Sequence, residues 1–197
     1  MSRRYLLALA LPAALAVPAI APASTKEYFF EETAAANWSV PHQCSDGSTV
    51  PARLFVQSTR DYEAPETEDD NPTARAQYQA VCPGGFSFSW VGTGSVSIES
   101  TNNLKSVDVL GTIRVRDNSG LFHQVSMDVS WTGTGPMETS TNPTQRFLVG
   151  TTIRKERAAT ATGTVTYDGT VVAAGDANHR ITPFIRTDED IYTTTGP

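Results

Sequence analysis

The sequence predicts an all-β fold, namely an antiparallel β-sandwich of about nine to eleven short strands, with a closed β-barrel as the alternative. Three observations predict this class. Apolar and polar residues alternate with a period of two in many stretches, and glycine-containing turn pairs separate these stretches. Beyond the N-terminal segment, no window of a dozen residues carries apolar side chains at helical spacing.

The clearest predicted strand covers residues 121–135, because its apolar and polar residues fall on opposite parities. The apolar set is Leu121, Val125, Met127, Val129 and Trp131, and the polar set is Gln124, Ser126, Asp128, Ser130 and Thr132. The pattern at residues 107–115 predicts another strand, with a bulge at Gly111. The Asp-Asn-Ser-Gly turn at 117–120 connects this strand to the one at 121–135. We therefore predict a hairpin that places Trp131 in the core and Asp128 in solvent.

A second stretch, residues 86–94, has the same Ser-Trp-x-Gly-Thr-Gly ending as residues 130–135. Two copies are too few for a propeller, which needs at least four blades. We interpret both as strands that end in Gly-Thr-Gly turns, with internal duplication as the alternative. Neither turn has the third glycine and the following helix of a nucleotide site.

The N-terminal half predicts three further strands and one loop. Ala34, Ala36, Trp38 and Val40 alternate in the first strand, and Asp46-Gly47 predicts a tight hairpin into residues 52–56. The third strand spans residues 76–82. Between the second and third, residues 58–73 are acidic, contain two prolines and have few apolar side chains, so they predict a long surface loop.

The other predicted elements are short. They are a strand at 96–98, a polar loop at 138–144, strands at 147–153 and 159–165, a hairpin turn at 167–170, final strands containing Val171, Val172, Ile181 and Ile185, and a flexible C-terminal tail.

The first 23 residues have the pattern of a secretory signal peptide. Arg3 and Arg4 precede an apolar run at 5–17, and Ala21-Pro22-Ala23 fits a cleavage site. A membrane anchor is the alternative, although the run is short and contains Pro12. The opening Ser-Arg-Arg-Tyr-Leu-Leu also resembles a twin-arginine signal, so both export routes stay open. We expect one secreted domain, residues 24–197.

Charge excludes several partners. Loss of residues 1–23 removes two arginines and changes the net charge from −6 to −8. Nucleic acids and anionic membranes need a basic face, so neither is an expected partner. No later stretch is apolar for long enough to span a membrane.

Cys44 and Cys82 are the two cysteines, and an exported protein meets an oxidising environment. We therefore predict a Cys44–Cys82 disulfide. In the chain-entropy model, closing this loop would stabilise the fold by about 3 to 4 kcal/mol. A catalytic or metal-binding thiol is the alternative, but neither cysteine lies in a C-x-x-C pair.

The histidines do not predict a catalytic or metal centre. His42, His123 and His179 are far apart in sequence, and no G-x-S-x-G elbow supports a Ser-His-Asp triad, so we expect surface or edge positions and no zinc. No cofactor is expected, except that carboxylates at 61–70 could bind calcium without the D-x-D-x-D-G spacing.

Other polar residues allow competing interpretations. Glu99, Asp108 and Asp128 are predicted on outward faces and could supply paired carboxylates for glycoside cleavage, although such residues usually keep a sheet soluble. Asn37-Trp38-Ser39 matches a glycosylation acceptor, but it lies inside a predicted strand.

Four segments carry a resemblance that covers most of the mature chain. They are A-A-A-N-W-S-V at 34–40, L-K-S-V at 104–107, V-S-M-D-V-S-W-T-G-T-G at 125–135 and R-A-A-T-A-T-G-T-V at 157–165. In these the chain resembles small exported all-β proteins of actinobacterial type that have no assigned function, and it departs from them in the acidic insert. The resemblance implies an exported β domain and transfers no catalytic residue.

We expect a non-catalytic secreted protein that binds an extracellular protein, cell-wall polymer or carbohydrate through its loops. An outward groove lined by Trp38, Phe55 or another aromatic on a strand would support this function. One alternative is a hydrolase that uses two carboxylates. Another is a proteinase inhibitor that presents Ala64-Pro65-Glu66.

Overall fold

The computed structural model describes residues 24–64, 72–101, 103–143, 150–178 and 181–195. The predicted signal peptide, most of the acidic stretch and His179 lie outside these ranges. The strands β1 to β11 are, in chain order, Ser24–Gln43, Thr49–Ala64, Thr73–Val81, Ser87–Ser95, Ser97–Ser100, Ser106–Asp117, Phe122–Gly133, Glu138–Pro143, Gly150–Tyr167, Thr170–Asp176 and Phe184–Thr195. One 3-10 turn, Pro83–Gly85, precedes β4. The predicted all-β class is confirmed.

All strand pairs are antiparallel, and the eleven strands form one hydrogen-bonded sheet. Eight of them pair in the order β1-β2-β3-β4-β6-β7-β9-β11, and β11 pairs again with β1, so these strands form a ring. β5 pairs with β6, while β8 and β10 pair with β9. Side chains of one parity therefore point into the ring and those of the other parity point out.

Two predicted irregular segments are strands because β9 gives them a partner. β9 is 18 residues long; β7 and then β8 run along one edge, and β10 and then β11 run along the other. The loop predicted at 138–144 is therefore largely β8, whose six side chains are all exposed. The predicted flexible tail is largely β11, which lies between β1 and β9. Neither segment has the half-apolar pattern from which strands were predicted.

The acidic loop begins later than predicted. Residues 58–64 continue β2, because they pair with residues 28–34 of β1. β1 is 20 residues long, so the ring contains longer strands than the sequence suggested. Charged and polar residues in these extensions hide the alternation, whereas backbone pairing needs no particular side chain.

The core fills the ring with the inward parity of each strand. Trp38, Trp131, Leu54 and Met127 are among the largest fully buried side chains. Trp131 is confirmed in the core, and Asp128 is exposed. One residue of the predicted inward-facing apolar set is exposed instead: Leu121, at 63 %. It lies immediately before β7, where the side-chain alternation has not yet begun.

Several glycines are in strands where the prediction had turns or a bulge. Gly92 and Gly94 lie inside β4, and a Cβ at Gly92 would lie 2.7 Å from the Val115 Cα. Gly111 pairs in register with Met127, so it forms no bulge, and its missing side chain makes room for Val96. Close backbone approach, rather than turn geometry, explains these glycines.

The predicted hairpins and the disulfide are confirmed. Residues 44–48 connect β1 to β2, 117–120 connect β6 to β7, and Asp168-Gly169 connect β9 to β10. Cys44 and Cys82 form a disulfide with a Cα–Cα distance of 5.9 Å. Such a bond fits an extracellular protein. No helix in the described ranges has the length and apolarity needed to cross a membrane.

Candidate functional site

One candidate site is a groove of about 520 Å³ on the outside of the β6–β7 hairpin. We call it the β6–β7 groove. Its lining residues are Thr112, Ile113, Arg114, Phe122, His123, Gln124 and Asp168. The groove therefore combines a cation, an aromatic ring, a hydroxyl, an amide and a carboxylate.

The strand register brings these groups together. Arg114 lies opposite Gln124, and Thr112 lies opposite Ser126, so two outward rows face solvent next to each other. The Thr112 and Ser126 hydroxyl oxygens are 2.8 Å apart and share a hydrogen bond. Asp168 reaches the same place from the β9–β10 turn, since the Asp168 amide donates to the Gln124 carbonyl.

Arg114 and Phe122 form the exposed centre of the groove. The Arg114 guanidinium carbon lies 3.9 Å from the centre of the Phe122 ring, which is a cation–π contact. Phe122 is nevertheless 56 % exposed. Within the described part of the chain, Arg114 has no carboxylate at ion-pair distance and its side chain donates no hydrogen bond. Its N–H groups can therefore bind a ligand.

His123 forms one side of the groove and joins two turns. Its Nδ1 lies 2.7 Å from an Asp168 carboxylate oxygen, and its Nε2 lies 3.2 Å from an Asp117 carboxylate oxygen. Asp117 also accepts hydrogen bonds from Ser119 and the Leu121 amide. His123 thus connects the β6–β7 turn to the β9–β10 turn.

The contacts favour a protonated imidazole between two ionised carboxylates. Hydrogen bonding to Asp168, and secondarily to Asp117, raises the pKa of His123. The Ser119 hydroxyl is the main cause that lowers the pKa of Asp117 to about 2. The hydrogen bond from the Gln124 backbone N–H is the main cause that lowers the pKa of Asp168. When the ring is protonated it donates through both nitrogens, and neither is then free to act as a general base.

We expect this His123 bridge to stabilise the fold most between about pH 4 and pH 6.5. The raised pKa of His123 means that its contribution is complete below the ordinary value of 6.5 and is lost as pH rises through the folded-state pKa. The lowered carboxylate pKa values mean that their contribution is lost only in stronger acid. Urea unfolding at about pH 5.5 and about pH 9 should show the difference between wild type and His123→Gln shrinking at the higher pH.

Asp128→Asn is the matched control, because Asp128 is an exposed carboxylate on the same strand and makes no contact with His123. Its difference from wild type should be the same at both pH values. A difference for His123→Gln that stays constant across this range would contradict the charged bridge.

A series of stacked aromatic side chains leads from His123 into the interior that the strands enclose. Tyr167 stacks on His123 at 4.7 Å and on Trp90 at 5.5 Å, and Trp90 stacks on Tyr78. Burial, followed by the nearby carboxylates, raises the pKa of Tyr167 to about 12. The phenol therefore stays neutral, and the aromatic series gives His123 a fixed platform.

His42, the second histidine, makes its contacts with side chains of the protein itself. The His42 ring stacks on Phe88 and hydrogen-bonds with the Tyr78 hydroxyl. Its ligand atoms lie within 4.8 Å of Cys44 and Cys82, which the sequence spacing did not suggest. Both sulfurs are in the disulfide, so they offer no thiolate to a metal.

The carboxylates considered for glycoside cleavage lie on the outside of the sheet. Glu99 lies opposite Asp108 on β5 and β6, Asp128 is on β7, and all three are exposed. They point out from an open face. The calcium hypothesis concerns residues that lie largely outside the described ranges; of its acidic residues, Asp61 and Glu63 are in β2.

The two aromatics suggested for binding differ. Trp38 is buried, and its indole N–H donates to the Gly175 carbonyl, so Trp38 is not an exposed aromatic. Phe55 is half-buried on the outer face of β2. Asn37, the possible glycosylation site, is buried and accepts a hydrogen bond from Arg53.

Sequence reasoning did not identify Arg114, Phe122, Gln124 or the His123 bridge as a site. One signal was present: Phe122 is a large apolar residue on the polar parity of its strand, opposite an outward-facing arginine. The part played by Asp168 could not be read in this way, because it is 45 residues from His123 in the chain.

Together, the ring and groove define an antiparallel all-β protein with a polar, aromatic-containing outer groove. No protein-family model, curated protein or solved structure matches the chain.

Proposed function

We propose that the chain is an exported, non-catalytic protein that binds an extracellular polymer or protein in the β6–β7 groove. The observation that carries the proposal is the exposed Phe122 ring, which lies under the Arg114 guanidinium and beside the Gln124 side-chain amide; among the described residues, no carboxylate pairs with this guanidinium. Aromatic rings with a few convergent polar groups are typical of binding sites. Export is supported by the signal-peptide pattern at 1–23 and by the disulfide.

The groove chemistry favours binding over hydrolysis. Both His123 nitrogens lie at hydrogen-bond distance from carboxylates, so a triad-type proton transfer would first have to break one of these contacts. A ligand in the groove would instead meet side chains already held in place. The two connected turns fix Asp168, and the sheet register fixes Arg114 and Gln124.

Glu99 and Asp108 are the strongest support for the hydrolase alternative, because they are cross-strand neighbours. Their exposed position gives them no enclosed place for a sugar ring and an activated water. The inhibitor alternative depends on Ala64-Pro65-Glu66, of which two residues lie outside the described ranges. Neither alternative uses the groove.

Binding can be tested with purified mature protein against panels of immobilised extracellular polysaccharides and secreted proteins. We expect at least one ligand to be retained by wild type and to be lost with Phe122→Ala. Phe86→Ala is the matched control, because Phe86 is an even more exposed phenylalanine that does not line the groove. The proposal would be wrong if wild type bound nothing, or if Phe122→Ala and Phe86→Ala bound equally well.

A further inference from the structure

We infer that the β6–β7 groove recognises a sparsely carboxylated polysaccharide, with Arg114 binding the carboxylate of a uronic-acid residue. The inference rests on the proposed binding function and names its ligand class. It is carried by three features: the unpaired Arg114, the local charge balance, and a row of hydroxyl side chains that leads away from the groove.

Arg114 is held ready to bind an anion. Its guanidinium carbon lies 3.9 Å from the centre of the Phe122 ring, so ligand binding orders a side chain that this contact already restrains. A planar guanidinium can donate two parallel hydrogen bonds to a carboxylate. Gln124, directly opposite on β7, can add an amide donor. The Thr112 hydroxyl lines the same groove.

The local charges leave Arg114 available. Asp168 is the carboxylate in the groove lining, but one of its oxygens lies 2.7 Å from His123 Nδ1. Its other oxygen accepts a hydrogen bond from the backbone N–H of Gln124. Asp117 is likewise engaged with His123 and its own turn. The nearby Arg116 adds a second positive charge and donates to the Gly120 carbonyl. With His123 protonated, the three cations outnumber the two carboxylates, so the groove is then locally cationic on an acidic protein.

The contrast between the groove and the acidic surface around it limits how densely charged the ligand can be. The chain without residues 1–23 has a net charge of −8, so a densely charged polyanion would be repelled over most of the surface. A ligand with isolated carboxylates would meet the groove without that repulsion. Aqueous salt screens the surrounding field more strongly than a direct Arg–carboxylate contact.

A hydroxyl face extends from the groove across β7 and β9. Cross-strand pairs on this outer face are Ser126 with Thr166, Asp128 with Thr164, Ser130 with Thr162, and Thr132 with Thr160, so one carboxylate lies among seven hydroxyls. Their side chains are exposed or half-buried and point to solvent. Hydroxyls are donors and acceptors at once, which suits the hydroxyl groups of a sugar chain. The face thus gives a polymer further contacts beyond the uronate.

The test uses full mature protein and two matched polymers: glucuronoxylan, which carries scattered glucuronate groups, and the same xylan after chemical reduction of its carboxyl groups. We expect wild type to bind glucuronoxylan at least about tenfold more tightly than the reduced polymer. Free glucuronate should compete, and glucose should not. Arg114→Gln should remove this preference.

Arg75→Gln is the control variant, because Arg75 is an exposed arginine on β3 whose side chain contacts Gln77 outside the groove. It should bind as wild type does. Circular dichroism should show the same strand content for both variants, since both positions are exposed.

Three results would overturn the inference: equal binding of the two polymers, a preference that survives Arg114→Gln, or no binding of either polymer. If a neutral glycan or a secreted protein is instead retained in a Phe122-dependent manner, the carboxylate inference fails and the proposed binding function stands. If no ligand of any class depends on Phe122, both fail.

Discussion

Replacement of Trp131 by alanine is expected to lower the free energy of unfolding by about 3 to 5 kcal/mol. Trp131 is fully buried on β7, where it lies between Val107 of β6 and Ala161 of β9 in the strand register. Its inward neighbours are a β-branched and a very small residue, so they cannot fill the cavity that alanine leaves. A loss of this size is comparable to the whole stability of many domains.

Urea unfolding followed by tryptophan fluorescence and circular dichroism measures the effect. Thr132→Ala is the control, since Thr132 is the exposed neighbour on the same strand, and it should differ from wild type by less than about 0.5 kcal/mol. A Trp131→Ala loss below about 1 kcal/mol would show that this end of the core is not close-packed.

Trp131→Phe refines the same experiment. The indole N–H is buried without a hydrogen-bond partner in the described structure, so wild type already bears the cost of its desolvation. Phenylalanine removes that cost together with part of the ring. We therefore expect Trp131→Phe to be much less damaging than Trp131→Ala.

The second large effect is expected for Gly163→Ala, which should destabilise the fold by about 3 kcal/mol, the upper end of the range for overpacking. An added Cβ would lie 2.7 Å from the Val129 Cα and would also overlap the Asp128 carbonyl oxygen. These are backbone atoms of the paired strand β7, so a side-chain rotation cannot relieve the overlap. β7 and β9 would have to separate, and their pairing is a link in the ring.

Thr164→Ala is the matched control, because it removes an exposed side chain from the next residue of β9 without adding atoms to the interior. Denaturant unfolding should show a near-wild-type midpoint for Thr164→Ala. For Gly163→Ala we expect a much lower midpoint or no cooperative transition. A Gly163→Ala midpoint equal to that of the control would contradict the close approach of the two strands.

The same packing positions the β6–β7 groove. Inward residues of β7, such as Val125 and Met127, hold the strand against the core, so the outward residues Phe122 and Gln124 keep their register with β6. His123 then adds the β9–β10 turn to this hairpin. Core variants should therefore weaken ligand binding through loss of folded protein, whereas Arg114→Gln should change specificity in a folded protein.

Parts of the fold could be predicted because local sequence carries their cause. The 117–120 turn joins two alternating segments, so the β6–β7 hairpin follows from its neighbours in the chain. Cys44 and Cys82 were the only possible disulfide pair. β8 and β11 could not be predicted in this way, because distant strands supply their hydrogen-bond partners and their side chains need not alternate.

The candidate site separates locally encoded features from those that depend on distant contacts even more clearly than the fold does. The sequence indicated that Asp128 faces solvent, and it indicated histidines without sequence neighbours. It did not indicate that Asp117 and Asp168 both reach His123, since that depends on two turns meeting after the ring forms. Which aromatic lines an exposed groove stayed open, because parity does not tell which face of a strand is inside.

The sequence by itself determined the antiparallel all-β class, the main hairpins, the disulfide pair and the burial of Trp131. These follow from period-two alternation, turn residues and cysteine count, which are local or exhaustive properties of the chain. Only the tertiary structure decided that the strands pair in a ring and that Arg114, Phe122 and Asp168 share a groove. The physical reason is that ring closure and groove formation depend on contacts between residues far apart in the chain, whose pairing no local pattern specifies.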